Sequence, residues 1–153
     1  MKTILVLFLL GCLGFWFFRT KPVEKTSFHH INIQDMKLKI TFSDTELSAT
    51  IYDNPTARDF VSLLPLTIEL EDYANTEKIF YPERKLTSEG APNGYQPSKG
   101  DITYYAPWGD VAIFYKDFGP AGGLISLGTI DGNGIDLLKK VGKEQVTFEL
   151  ISD

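Results

Sequence analysis

The chain is 153 residues long, 43% hydrophobic and 13% aromatic, which gives room for one ordinary domain and no second. A single cysteine and two adjacent histidines exclude an internal disulfide, a cysteine-based zinc site and a multi-histidine metal cage. A formal net charge of −5 argues against nucleic acid as a partner.

From Ile4 to Phe18 the chain carries no charged side chain, with Lys2 before it and Arg19, Lys21 and Lys25 after it. As a helix this run would span about 22 Å, short of a hydrocarbon core of roughly 30 Å, and so suits a signal-peptide core better than a lone spanning helix. Leu9-Leu10-Gly11-Cys12 resembles a bacterial lipoprotein box, in which the cysteine is lipidated. Three fates stay open: a lipidated Cys12, an uncleaved anchor in which Cys12 is one more small apolar residue, and a released form. All three place the folded part outside the cytoplasm, and the first two attach it to the membrane in the cell envelope. Residues 1–26 are read as this signal or anchor segment, 27–34 as a polar linker, and 35–153 as the folded domain. His29 and His30 fall in the linker with no third ligand near in sequence, and are read as solvated loop residues.

The folded part opens with alternation. Met36, Leu38, Ile40 and Phe42 are interleaved with polar residues, a turn follows at Ser43-Asp44, and Leu47, Ala49 and Ile51 alternate in turn, so a hairpin is predicted. Asn54 with Pro55 behind it has the pattern of a helix start, and Ala57, Phe60, Val61 and Leu64 form one apolar stripe before Pro65 ends the helix. Leu66, Ile68 and Leu70 give a third strand, followed by a polar turn and a short strand at Lys78–Tyr81. Glu83 to Gly100 reads as a long irregular loop. Strands are predicted at Ile102–Ala106, Val111–Tyr115 and Leu124–Ile130, with a flexible loop at Gly119–Gly123. A helix at Ile135–Val141 and a last strand through Val146, Phe148 and Leu150 complete the chain. About eight short strands with two short helices define a mainly β protein, and a closed barrel capped by helices leaves no exposed strand edge.

Two stretches resemble a known family. Leu124-Ile125-Ser126-Leu127-Gly128-Thr129-Ile130-Asp131-Gly132, followed by Ile135-Asp136-Leu137-Leu138-Lys139-Lys140, is similar to the cyclophilin segment that ends in its second helix. Tyr52-Asp53-Asn54-Pro55-Thr56-Ala57-Arg58 with Leu63-Leu64-Pro65-Leu66 behind it, then Gly100-Asp101-Ile102 and Phe114-Tyr115, resembles the small bacterial cyclophilin-like proteins. The resemblance spans residues 36–151 and implies a cyclophilin-like β-barrel. It also implies peptidyl-prolyl isomerisation as the family reaction, in which an arginine bonds the prolyl amide and apolar side chains hold the ring, against a barrier of roughly 18–20 kcal/mol. The family's Phe-His-Arg strand has as its nearest counterpart Phe80-Tyr81-Pro82-Glu83-Arg84, where the histidine is missing and a proline intervenes.

The expected function is therefore a membrane-tethered binding module for a peptide or small molecule, without strong isomerase activity, and the alternative is an isomerase that assists folding of exported proteins. No cofactor is implied. The expected ligand contacts are Arg84, Tyr81, Tyr105, Trp108 and Phe114, drawn from a run of aromatics that a groove for an apolar ligand would use. Strand alternation sends part of that run inward as core; Tyr104 and Tyr105 must face opposite sides. Trp108, in a Pro-Trp-Gly-Asp turn, either contacts a ligand or folds back over the barrel mouth. Arg58 reads as a solvated helix charge, and Asp131-Gly132-Asn133-Gly134 as a turn, since the twelfth-position glutamate of a calcium loop is absent.

Overall fold

A computed structural model of the protein describes residues 36–151. The expected signal or anchor segment with Cys12, and the expected linker with His29 and His30, lie outside the described residues. Among the described residues no helix is long and apolar enough to cross a membrane.

The alternation from Met36 onward builds β1 (Lys37–Phe42) and β2 (Thr45–Ile51), paired antiparallel from Lys37↔Thr50 to Phe42↔Thr45. Their apolar sets, Leu38, Ile40 and Phe42 with Leu47, Ala49 and Ile51, are all buried on one face. The helix α1 (Pro55–Val61) starts as its residue types dictate. Asn54 Oδ1 accepts the Ala57 amide at 2.9 Å, satisfying a donor the first turn leaves unpaired. The Asn54 side-chain amide also donates to Ser126 O at 2.9 Å, fixing the helix start to the opposite strand. Ala57 and Phe60 are fully buried; Val61 and Leu64 of the expected stripe are half-buried.

The sheet continues through β3 (Leu66–Glu69), β4 (Glu71–Tyr73), β5 (Glu77–Phe80), β7 (Asp101–Tyr105), β8 (Asp110–Phe114), β10 (Leu124–Ile130) and β11 (Gln145–Leu150). A separate short pair is made by β6 (Gly94–Tyr95) and β9 (Ala121–Gly122), and the helix α2 (Gly134–Leu138) precedes β11. The strand order of the nine-stranded sheet is β3-β11-β1-β2-β10-β7-β8-β5-β4. Its two outermost members, β3 and β4, are separated in the chain by Leu70 alone, and Leu70 is buried. One continuous stretch thus pairs with β11 on one side and with β5 on the other, which wraps the sheet into a nearly closed barrel.

Inside lie Leu38, Ile40, Ile102, Val111, Ile113, Leu127, Val146 and Phe148, joined by Phe60 of α1 and Leu138 of α2, all fully enclosed. Phe80 bridges Phe60 and Phe148 with ring centroids 6.4 and 5.4 Å away. Tyr104 also points inward, and its hydroxyl accepts the Leu86 amide at 3.1 Å. Lys78 is the polar exception. It lies inside the wall, with its amine donating to Val141 O at 2.8 Å and paired with Asp72 at 3.2 Å, so the buried charge is matched. Asp72 also accepts the Tyr115 hydroxyl, whose pKa is pushed up to about 12 by burial first and by that carboxylate second.

The first helix, expected to run up to Pro65, ends at Val61, and three further expectations need correction. The stretch after Leu70, expected as a polar turn, is the strand β4; its polar residues belong to an outer strand that pairs only with β5. Within the expected loops at 83–100 and 119–123, β6 and β9 pair with each other through backbone bonds that side-chain patterning does not reveal. The described residues therefore hold eleven strands rather than about eight. The helix expected to run to Val141 ends at Leu138, although Ile135, Leu138 and Val141, spaced to share one helix face, are all buried. In β10 the pairing with β7 slips between Ser126 and Gly128. A Cβ at Gly128 would collide with Thr50 O of β2, so only glycine lets the two backbones approach there.

Candidate functional site

On β5, Lys78 and Phe80 point into the barrel, so Glu77 and Ile79 point out. On β8, Val111 and Ile113 are interior and Asp110, Ala112 and Phe114 exterior; on β7, Tyr104 is interior and Tyr105 exterior. Ile79, Ala112, Phe114 and Leu124 form a second apolar cluster on the outside of the wall, separate from the core. Ala112 sits at its centre, opposite Ile79 on one side and Thr103 on the other. Its small side chain between larger neighbours leaves a depression, and a cavity of about 210 Å³ opens there.

The walls come from neighbouring strands and two loops. Tyr73 of β4 stands opposite Glu77 in the ladder, and Tyr105 stands opposite Asp110. The β7–β8 turn carries Trp108 over the cavity; Gly109 closes this turn with φ +85, its amide donating to Tyr105 O at 2.8 Å. That backbone angle is one other residues rarely adopt. Trp108 meets Tyr73 edge to face (centroids 5.7 Å, 86°) and Tyr105 likewise (5.5 Å, 76°). Phe118, from the following loop, lies over Phe114 at 6.0 Å. Trp108 is 49% exposed and Phe118 50%, so this aromatic rim is open to solvent.

Two carboxyl groups line the same cavity. Asp110 is only 3% exposed, and its Oδ1 has no hydrogen-bond partner among the described residues. Burial raises its pKa. Glu77 is half-buried, and its pKa is pushed up to about 7, by burial first and by the Asp110 charge second. No lysine, arginine or histidine lines the cavity among the described residues, so neither acid is offset there.

Of the expected ligand contacts, Tyr105, Trp108 and Phe114 are brought together in this cavity. Tyr81 is 54% exposed on the strand's outer continuation and is not part of the lining. Arg84 points elsewhere. Its guanidinium grips the Asp59 carboxylate of α1 through contacts of 3.0 and 2.5 Å and reaches Ser62 Oγ at 3.0 Å. The Thr87 amide donates to the same carboxylate at 2.7 Å. Asp59 is accordingly held below the usual carboxylate range, by Arg84 first. This clamp fastens the start of the 83–100 loop to the helix. Arg58 pairs with Asp53 on the surface. Asp131 accepts Thr50 Oγ1 at 2.6 Å and Lys37 Nζ at 2.9 Å, a structural anchor; among the described residues no three side chains form a metal-holding group.

Tyr73, Glu77 and Asp110 were not among the expected contacts. Alternation through Glu77-Lys78-Ile79-Phe80 carries a signal for Glu77: it shares a face with Ile79 while the flanking pair turns inward. Asp110, directly before an apolar strand, looks like an ordinary turn residue until its burial is seen.

The profile of the Cyclophilin-like family matches residues 40–150, and the chain belongs to that family. A hypothetical protein from Archaeoglobus fulgidus, solved in solution, is similar in fold at a TM-score of 0.53 and 23% identity, covering 76% of this chain and 95% of that one. Among curated proteins none matches this chain.

Proposed function

We propose that the protein is an exported, membrane-tethered binding module that takes a small ligand in the outer-wall cavity around Ala112. The uncharged run at Ile4–Phe18 with its lipoprotein-like Cys12 supports export and tethering. One observation carries the binding reading: the barrel is already sealed by its interior core, yet a second, buried apolar cluster outside it floors a cavity whose rim is made by Tyr73, Tyr105, Trp108 and Phe118. Such a depression, with apolar walls and a few convergent polar groups, is how small-ligand sites are built.

The rival reading, a peptidyl-prolyl isomerase for exported proteins, needs an arginine above a prolyl amide. Arg84 is engaged with Asp59, which speaks against it. A proline-switch peptide assay is expected to return the uncatalysed rate; acceleration that disappears in Arg84→Ala would establish the enzyme instead.

The sequence holds two tryptophans, so a Trp16→Phe variant leaves Trp108 as the only indole reporter. Titration of that full-length variant with phenethyl alcohol is expected to change Trp108 fluorescence saturably. A flat response up to the solubility limit would remove the binding reading. Mass spectrometry of the N-terminus tests the tether: a diacylated Cys12 or an intact Met1 is expected, and a soluble chain cleaved beyond Phe18 would contradict it.

A further inference from the structure

We infer that the cavity accepts an organic cation, a protonated or quaternary ammonium group seated in the corner formed by Trp108, Tyr73 and Tyr105 and neutralised by the carboxylates of Asp110 and Glu77. The inference rests on the binding reading above and names the ligand class for that same site.

Asp110 supplies the first argument. Asp110 is 3% exposed and lines the cavity, and its buried Oδ1, lacking any partner among the described residues, is expensive to leave alone. It can be satisfied by taking up a proton or by meeting a positive ligand. Among the described residues, protein cations do not serve it. Lys78, its nearest basic neighbour on β5, turns into the barrel toward Asp72. Lys85 passes its aliphatic stem along Gly109 yet leaves Asp110 Oδ1 without a partner.

Ring geometry supplies the second argument, independently of charge. Trp108 meets each tyrosine at 76° or 86°, so the three rings make a corner and not a flat platform. A platform would touch a ligand on one side, whereas a corner of π faces can surround a compact, rounded group on more than one side. The faces are electron-rich, and a cation placed on them is attracted by the ring quadrupoles.

Size and ligand count narrow the class. About 210 Å³ holds a head group with a short arm and not a drug-sized molecule. A bare metal ion is disfavoured, because among the described residues no three suitable side chains converge. The pKa of Glu77, pushed up to about 7 by burial and by Asp110, is the electrostatic imprint of two acids crowded in an apolar wall, which a bound cation relieves.

The test compares choline with its neutral carbon isostere, in which a tert-butyl group replaces trimethylammonium, by calorimetric titration of the full-length chain. Choline is expected to bind about tenfold or more tightly than the isostere. Asp110→Asn is expected to weaken choline about tenfold and bring its affinity toward that of the isostere. Should that variant fail to fold, Trp108→Leu, at an exposed turn, replaces it and is expected to weaken choline severalfold. Equal affinity for the two compounds, or choline binding that neither substitution moves, would overturn the inference. If neither compound binds while phenethyl alcohol still does, the cation class falls and the binding reading stands; if none of the three binds, both fall.

Discussion

Glu77 shows how a single position carries both the site's chemistry and a stability consequence. Its carboxyl has an ordinary value of 4.5 in an unfolded chain and about 7 in the fold. Between those values the native state holds more protons than the unfolded state, so stability falls as pH rises through that window. Glu77→Gln, which mimics the protonated form, removes this loss. Its melting temperature is expected to match the parent near about pH 4.5 and exceed it near about pH 8. Parallel pH profiles for the two proteins would show that the group is not desolvated. Glu77 was legible only through its neighbours, since strand alternation places it beside Ile79 while its own type suggests solvent. Arg84 illustrates the converse. Its position beside the aromatics in sequence suggested a ligand contact, but long-range pairing with Asp59 draws it to α1, and spacing along the chain cannot foresee a partner 25 residues away.

At the level of elements, residues with strong local rules were the easiest to read. The hairpin β1–β2, the Asn54-Pro55 helix start and β10 follow from alternation and capping, both short-range effects. The break at Leu70 and the β6–β9 pair were not legible, because both depend on backbone pairing across the molecule. The Arg84–Asp59 clamp is what holds the beginning of the 83–100 loop to α1. Asp59→Ala strips the carboxylate from Arg84, Ser62 and the Thr87 amide together. Limited proteolysis of this variant is expected to cut within residues 84–90 severalfold faster than in the parent, with little change in melting temperature. Unchanged cleavage would show that the loop is held by other contacts. Gly128 belongs to this scale too. Gly128→Ala forces β10 away from β2, and lowered stability in urea unfolding is expected, whereas a neutral result would mean that the bulge relaxes freely.

Across the whole molecule, one wall serves two purposes. Its inner face supplies the packed core, and its outer face at β5, β7, β8 and β10 supplies the cavity. The barrel class was legible because inner-face alternation recurs in strand after strand; the cavity was legible only through Tyr105, Trp108 and Phe114, because its floor is made by one small residue, Ala112, among large neighbours from other strands. Consecutive positions on β8 separate the two purposes. Ile113 is fully enclosed, and Ile113→Ala is expected to cost about 2–5 kcal/mol in urea unfolding. Ala112→Leu instead extends into the open cavity. The most direct measurement is therefore phenethyl alcohol titration of Ala112→Leu, on the Trp16→Phe background, beside its thermal melt. The expected result is a native-like melting temperature with the Trp108 response abolished; a folded variant that still binds as the parent does would contradict a ligand site on the outer wall.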